Sequence, residues 1–225
     1  FMSDGKVKEI GGLNNNAITT FYIPNMALSV SGVNNCSALT TVVIGASLTS
    51  FTGFNNCPKL NKFTVDSSNT TFKVVDNNLC QGNKLCRVPM SKSDIVVTNG
   101  TTEIMSNAIQ IAFVNSISIP NGCILANDSI KCQSVGQIIL HTSFNTETGK
   151  YNNLTMTDFS TLDNVQVGTI FTYGNGITDT TNANCLSIVK YCIERNINYV
   201  DMNETNTNAR GTIGISGNAE LDGDN

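Results

Sequence analysis

Gly32-Val33-Asn34-Asn35-Cys36-Ser37-Ala38-Leu39-Thr40-Thr41-Val42-Val43-Ile44 is followed in step by Gly53-Phe54-Asn55-Asn56-Cys57-Pro58-Lys59-Leu60-Asn61-Lys62-Phe63-Thr64-Val65. Gly12-Leu13-Asn14-Asn15 opens an earlier copy, so the starts at Gly12, Gly32 and Gly53 are almost evenly spaced. Each of the two later copies ends in the spacing L-x-x-L-x-L: Leu39, Val42 and Ile44, then Leu60, Phe63 and Val65. A fixed period of this length is the signature of stacked repeats, in which each turn buries its apolar side only against its neighbours.

The period and spacing predict a leucine-rich-repeat solenoid, β-rich and curved, with short strands stacked in parallel. Working outward, Ile18, Phe21 and Ile23 make an earlier strand. Val114, Ile117 and Ile119 make a later one, and Val135, Ile138 and Leu140 the next, one period further on. Ile95 to Gly100 resumes the rhythm one turn ahead of Ile117 to Gly122. Cys36, Cys57, Ile111 and Cys132 fall at one repeat position, as an inward ladder of small apolar groups. Between Val65 and Val96 the register stretches, and Val74–Cys80 and Leu85–Pro89 around Gln81-Gly82-Asn83-Lys84 predict an inserted β-hairpin. A looser stretch runs from His141 to Val165. Ala183, Leu186, Val189, Tyr191, Cys192 and Ile193 predict a capping helix, followed by a strand at Ile197–Val200. The expected organisation is one repeat domain over residues 1–200, with the solenoid starting upstream of Phe1 and no leader peptide legible, and a polar tail or linker over 201–225.

Composition narrows the function classes. Of 225 residues, 40% are hydrophobic, which excludes wholesale disorder, and only 13% are charged, about half the usual share. Asn, Ser and Thr supply about a third of the chain, suiting stacked turns whose side chains bond neighbouring backbone. A net charge of −4 without a basic run argues against nucleic acid or an anionic membrane as partner. No apolar stretch approaches the ~20 residues that span a bilayer. Six glycosylation sequons (Asn35, Asn69, Asn99, Asn127, Asn153 and Asn203) match what chance gives for 32 Asn in a chain one-fifth Ser plus Thr.

The chain resembles the BspA-like leucine-rich-repeat family, whose repeat runs A-F-x-x-C-x-x-L-x-x-V-x-I-P. Val33 through Ile44 and Phe54 through Val65 follow it, and Ile23-Pro24 and Ile119-Pro120 match its strand end. Gly32 and Gly53 depart from it, standing where the family has Ala. The hairpin insert and the segment from Thr169 through the helix to Val200 are similar to a variant repeat and a closing unit of such proteins. The resemblance implies an extracellular, cell-surface or secreted protein with an adhesin-like role towards host or cell-surface macromolecules.

No catalytic constellation stands out. His141, the single histidine, is expected as a solvated residue after a strand, and the carboxylates are scattered. No C-x₂₋₄-C pair supports zinc, and Asp222-Gly223-Asp224-Asn225 lacks the later ligands of a calcium loop. Cys80 and Cys86, on neighbouring hairpin strands, are the candidate disulfide, whereas Cys185 and Cys192 share a helix face and cannot bridge each other. No cofactor or metal is implied. Attention moves to the outward face, where alternation places Thr20, Tyr22, Thr41, Val43, Lys62, Thr64, Ser116, Ser118, Gln137 and Ile139. The expectation is a non-enzymatic module that binds a protein or glycoprotein through this face. The alternative is a structural spacer or assembly unit that self-associates through the solenoid ends.

Overall fold

The computed structural model describes residues 8–14, 17–141, 144–145, 150–151, 158–173 and 183–202. The chain forms two compact units, each interrupted in sequence. One comprises Phe1–Lys92, Glu103–Ala112 and Ala126–Lys131; the other comprises Ser93–Thr102, Phe113–Leu125 and Cys132–Asn225. Each is a β-solenoid of short strands, as the repeat period requires. The last described strand runs to Met202.

In the first unit, Thr20–Tyr22, Thr41–Ile44 and Lys62–Val65 form a parallel sheet. Its register joins Phe21 to Val42 and Val42 to Phe63, so residues stack at the repeat interval. A second parallel sheet of two-residue strands, Glu9–Ile10, Ser29–Val30 and Ser50–Phe51, makes another side of the same turns. The core between them includes Val30, Val33, Cys36, Leu39, Val42, Ile44, Leu48, Phe54, Cys57 and Leu60, all fully buried. The ladder Cys36 and Cys57 is therefore a packing feature, and each sulfur bonds the carbonyl two residues earlier.

The polar composition finds its use in the turns. Thr40, Thr49 and Ser106 each donate a hydroxyl hydrogen bond to a backbone carbonyl one period away in sequence. Asn34 Oδ1 accepts from the Asn55 N–H, and Asn56 Nδ2 donates to Asn35 Oδ1 at 2.9 Å. Asn35 and Asn56 both sit at φ 53°, in the left-handed region that Asn tolerates better than most residues. The Gly that opens each repeat is also left-handed. A Cβ on Gly53 (φ 93°) would lie 2.8 Å from the Gly32 nitrogen.

The insert is larger than a single hairpin. Phe72–Val75, Asn78–Gln81 and Lys84–Arg87 form an antiparallel meander with two tight turns. Gly82 takes φ 57° as expected, and Asp76 and Asn77, at φ 48° and 63°, build the additional turn. Consecutive positive φ values match the right-handed twist of the flanking strands. Glu103–Ile104 then pairs in parallel with Lys84–Arg87.

The second unit is organised around one parallel sheet in the order Asp94–Val96, Phe113–Ile119, Ser134–His141, Gln166–Tyr173 and Asn198–Met202. Val114, Ile117 and Ile119, then Val135, Ile138 and Leu140, are buried as the repeat spacing predicted. At the longer first gap in that spacing the ladder skips the pairs Asn115 with Gly136 and Gly136 with Gly168, while the register on either side is unchanged. A Cβ on Gly136 would meet the Asn115 carbonyl oxygen at 2.7 Å, so the strands approach too closely there for a side chain. The helix Ala183–Glu194 buries Ile188, Val189 and Cys192. Tyr199, fully buried on the last strand, shares a 2.7 Å hydrogen bond with the Thr172 hydroxyl. A Ser160–Leu162 3₁₀ turn lies in the looser stretch, where Arg195 both bonds Asp163 at 2.6 Å and stacks 4.1 Å over the Tyr191 ring. The sequons at Asn153 and Asn203 and the acidic tail lie outside the described residues.

Candidate functional site

Parallel register turns alternation into straight rows of outward side chains. In the first unit one row is Thr20, Thr41 and Lys62, and the next is Tyr22, Val43 and Thr64. All six expected residues therefore share one face, with Tyr22 70% exposed at its edge.

In the second unit the rows are longer. Asp94, Ser116, Gln137, Thr169 and Asn198 form an uncharged polar row except for its first member. Beside it run Val96, Ser118, Ile139, Phe171 and Val200, apolar at four of five places. Adjacent strands lie ~4.8 Å apart, which makes each row roughly 20 Å long. Val96 is 61% exposed, and Phe113, on the same face, is 68% exposed.

The expected residues Ser116, Ser118, Gln137 and Ile139 occupy the middle of these rows. Sequence reasoning missed Asp94, Val96, Thr169, Phe171, Asn198 and Val200, which extend them, and Phe113, which lies outside both rows. The signal was present: most of these lie at the same offset from a buried apolar residue as their neighbours in the row. Ser116 donates to Asp94 at 2.7 Å, and Ser93 bonds the same carboxylate. These two hydroxyls, Ser116 foremost, hold the Asp94 carboxyl below its ordinary range.

His141 is the last residue of its strand rather than part of the loop that follows, and its Nε2 lies 2.8 Å from Ser118 Oγ. Both belong to the open sheet face. Such a serine–histidine contact needs an enclosed site and an oxyanion-stabilising donor pair before it becomes a nucleophile and base. Among the described residues no group of three or more His, Cys, Asp or Glu side chains is placed to hold a metal ion. No described helix is long and apolar enough to cross a membrane.

Cys80 and Cys86 are free thiols. The hairpin brings them onto neighbouring strands, yet the register slips between them: Cys80 faces Leu85 and Leu79 faces Arg87, so Cys86 has no residue opposite. Its sulfur lies 3.2 Å from Met105 Sδ instead. Burial raises the Cys80 thiol and pushes Cys86 up to about 12.

No family model matches the chain. No curated protein matches it either. Among solved structures it is similar to one described as a leucine rich cell surface protein from Faecalibacterium prausnitzii A2-165, with 15% identity, a TM-score of 0.44 and 95% of this chain covered. The chain spans 64% of the length of that protein. It is also similar to a leucine-rich repeat protein from Eubacterium ventriosum ATCC 27560, with 10% identity, a TM-score of 0.34, and 73% of this chain and 72% of that one covered.

Proposed function

We propose that the chain is a non-enzymatic binding module of a BspA-like surface or secreted protein, adhesin-like, taking a protein or glycoprotein ligand on the outward sheet face. The observation that carries this reading is the outward row Val96, Ser118, Ile139, Phe171 and Val200 lying beside the polar row Asp94 to Asn198. Apolar anchors flanked by uncharged donors and acceptors are what a macromolecular interface uses, with affinity concentrated in the large side chains. The scarcity of charge on this face gives nucleic acid or an anionic lipid surface nothing to bind electrostatically. Extracellular location, which the resemblance to the BspA-like family implies, is part of the same proposal.

The test is binding of the whole chain to immobilised laminin, collagen, fibronectin and mucin, with serum albumin as background. Val96→Lys and Tyr22→Ala alter exposed positions and leave the core intact. Saturable binding to at least one of these ligands, weakened tenfold or more by Val96→Lys, is expected. Binding no better than to albumin, or equal binding by both variants and the parent, overturns the reading.

A further inference from the structure

The first unit buries a charge whose described partners are all neutral. Arg87 is 3% exposed. Its Nη1 donates to Gln110 Oε1 and its Nη2 to the Gly53 carbonyl, each at 2.7 Å, while Nε finds no acceptor among the described residues. Nor does any ion pair among those residues reach Arg87. Burial is the main cause that lowers its pKa to about 10, still well above neutrality, so the guanidinium is charged under physiological conditions. A buried cation whose hydrogen-bond partners are all neutral is costly, and arginine does not escape the cost by releasing its proton.

Arg87 is also in the wall of a cleft of about 470 Å³, entirely within this unit. Phe51 and Phe72 give the cleft an aromatic side, and Ser50, Thr52 and Ser106 supply hydroxyls. The other charged lining group, Glu103, is held by Lys84 at 2.6 Å, so that pair contributes no net charge. Cys86 contributes a neutral thiol, since burial keeps its pKa far above neutrality. Arg87 is therefore the charged lining residue that has no counter-ion among the described residues. Gln110 is itself fixed, donating to Asn107 Oδ1 at 3.0 Å, so the guanidinium is held in place before any ligand arrives.

We propose that this cleft binds a small molecule bearing one carboxylate and an apolar or aromatic body, with the carboxylate neutralising Arg87 and the body lying against Phe51 and Phe72. Volume sets the class: about 470 Å³ suits a compact molecule rather than a folded partner. Charge sets the group, because a carboxylate accepts from the planar fork of arginine in a geometry that a neutral amide cannot reproduce with equal strength. The site is distinct from the outward rows, and its failure would leave the macromolecular reading untouched.

The experiment titrates the whole chain with benzoate and, separately, with its neutral isostere benzamide at constant ionic strength. It follows the Arg87 Nε–H and the Ser50 and Gly53 amide resonances. Benzoate is expected to move all three saturably, at least tenfold more tightly than benzamide. Ser50→Trp places a bulky ring on an exposed lining position, leaves Arg87 in place and should abolish the response while keeping the rest of the spectrum. Arg87→Gln, if folded, should equalise the two probes. Equal affinity for the two probes in the parent, an unmoved Arg87 resonance, or a response that survives Ser50→Trp each overturns the proposal.

Discussion

Phe54 holds two properties that normally exclude each other: it is a fully buried aromatic residue, and its φ of 59° is left-handed. Its ring stacks on Phe51 at 4.8 Å with the planes 2° apart, and meets Phe21 edge-on at 5.7 Å. Truncation to Ala removes a large buried ring and two aromatic contacts, which places the loss near the top of the usual range, about 4–5 kcal/mol. The backbone cost of a left-handed L-residue, roughly 1–2 kcal/mol, remains in that variant because Ala also carries a Cβ. Phe54→Gly removes the ring and relieves the backbone together. Its more flexible unfolded chain returns about 0.4–1 kcal/mol of the relief. The glycine variant should therefore be the more stable of the two, by about 0.5–1 kcal/mol. Val33, its counterpart one repeat earlier, is fully buried without positive φ, so there the ordinary order holds and Val33→Gly falls below Val33→Ala. Urea unfolding of the four variants, with unchanged slopes, gives the comparison. If Phe54→Gly falls below Phe54→Ala by the same margin as the Val33 pair, the left-handed strain is not there and the account of this turn fails.

Three further outcomes follow from packing and burial. Gly136→Ala should lose about 1–3 kcal/mol, because its Cβ would stand 2.7 Å from the Asn115 carbonyl oxygen; an unchanged thermal midpoint would mean that the neighbouring strand gives way freely. Burial pushes Cys86 and Cys192 from 9.0 up to about 12, so the folded state favours their protonated form. Their stabilising contribution is complete below pH 9 and is lost as pH rises from about 9 towards 12. The urea midpoint should accordingly fall over that window, and a fall of the same size in a Cys86→Ala/Cys192→Ala double variant would acquit the thiols. Alkylation of the denatured protein without reductant should label Cys80 and Cys86 with the other described cysteines, and mass spectrometry showing a Cys80–Cys86 crosslink would contradict the free thiols of the hairpin.

The rungs were legible because L-x-x-L-x-L marks the positions each turn must bury, and Leu39, Val42 and Ile44 are all fully buried. The sheet through Ser29–Val30 and Ser50–Phe51 was not legible, since two residues are too few to display a period. The second hairpin turn escaped because Asp76-Asn77 lacks the glycine that usually announces positive φ. At the candidate site, the rows were found in their centres and missed at their ends, where Val96 and Val200 lie in strands whose inward residues read less regularly. Arg87 was not legible, because the register slip beside Leu79 and Cys80 breaks the alternation that would place it, and a charged residue is ordinarily assigned to solvent.

The hydroxyl and amide bonds that tie Thr40, Thr49, Asn55 and Asn56 to groups 21 residues earlier form a grammar for how such a gene can change length. Deleting one residue moves every later donor off its carbonyl at that joint and costs the whole joint. Deleting or duplicating one whole period presents each donor with an equivalent carbonyl, so the chain closes up as though nothing had happened. Recombination between similar stretches such as Gly32–Ile44 and Gly53–Val65 makes the second kind of change easily. A lineage carrying this fold can therefore lengthen or shorten its exposed rows by whole strands, altering its reach without first having to invent a new core.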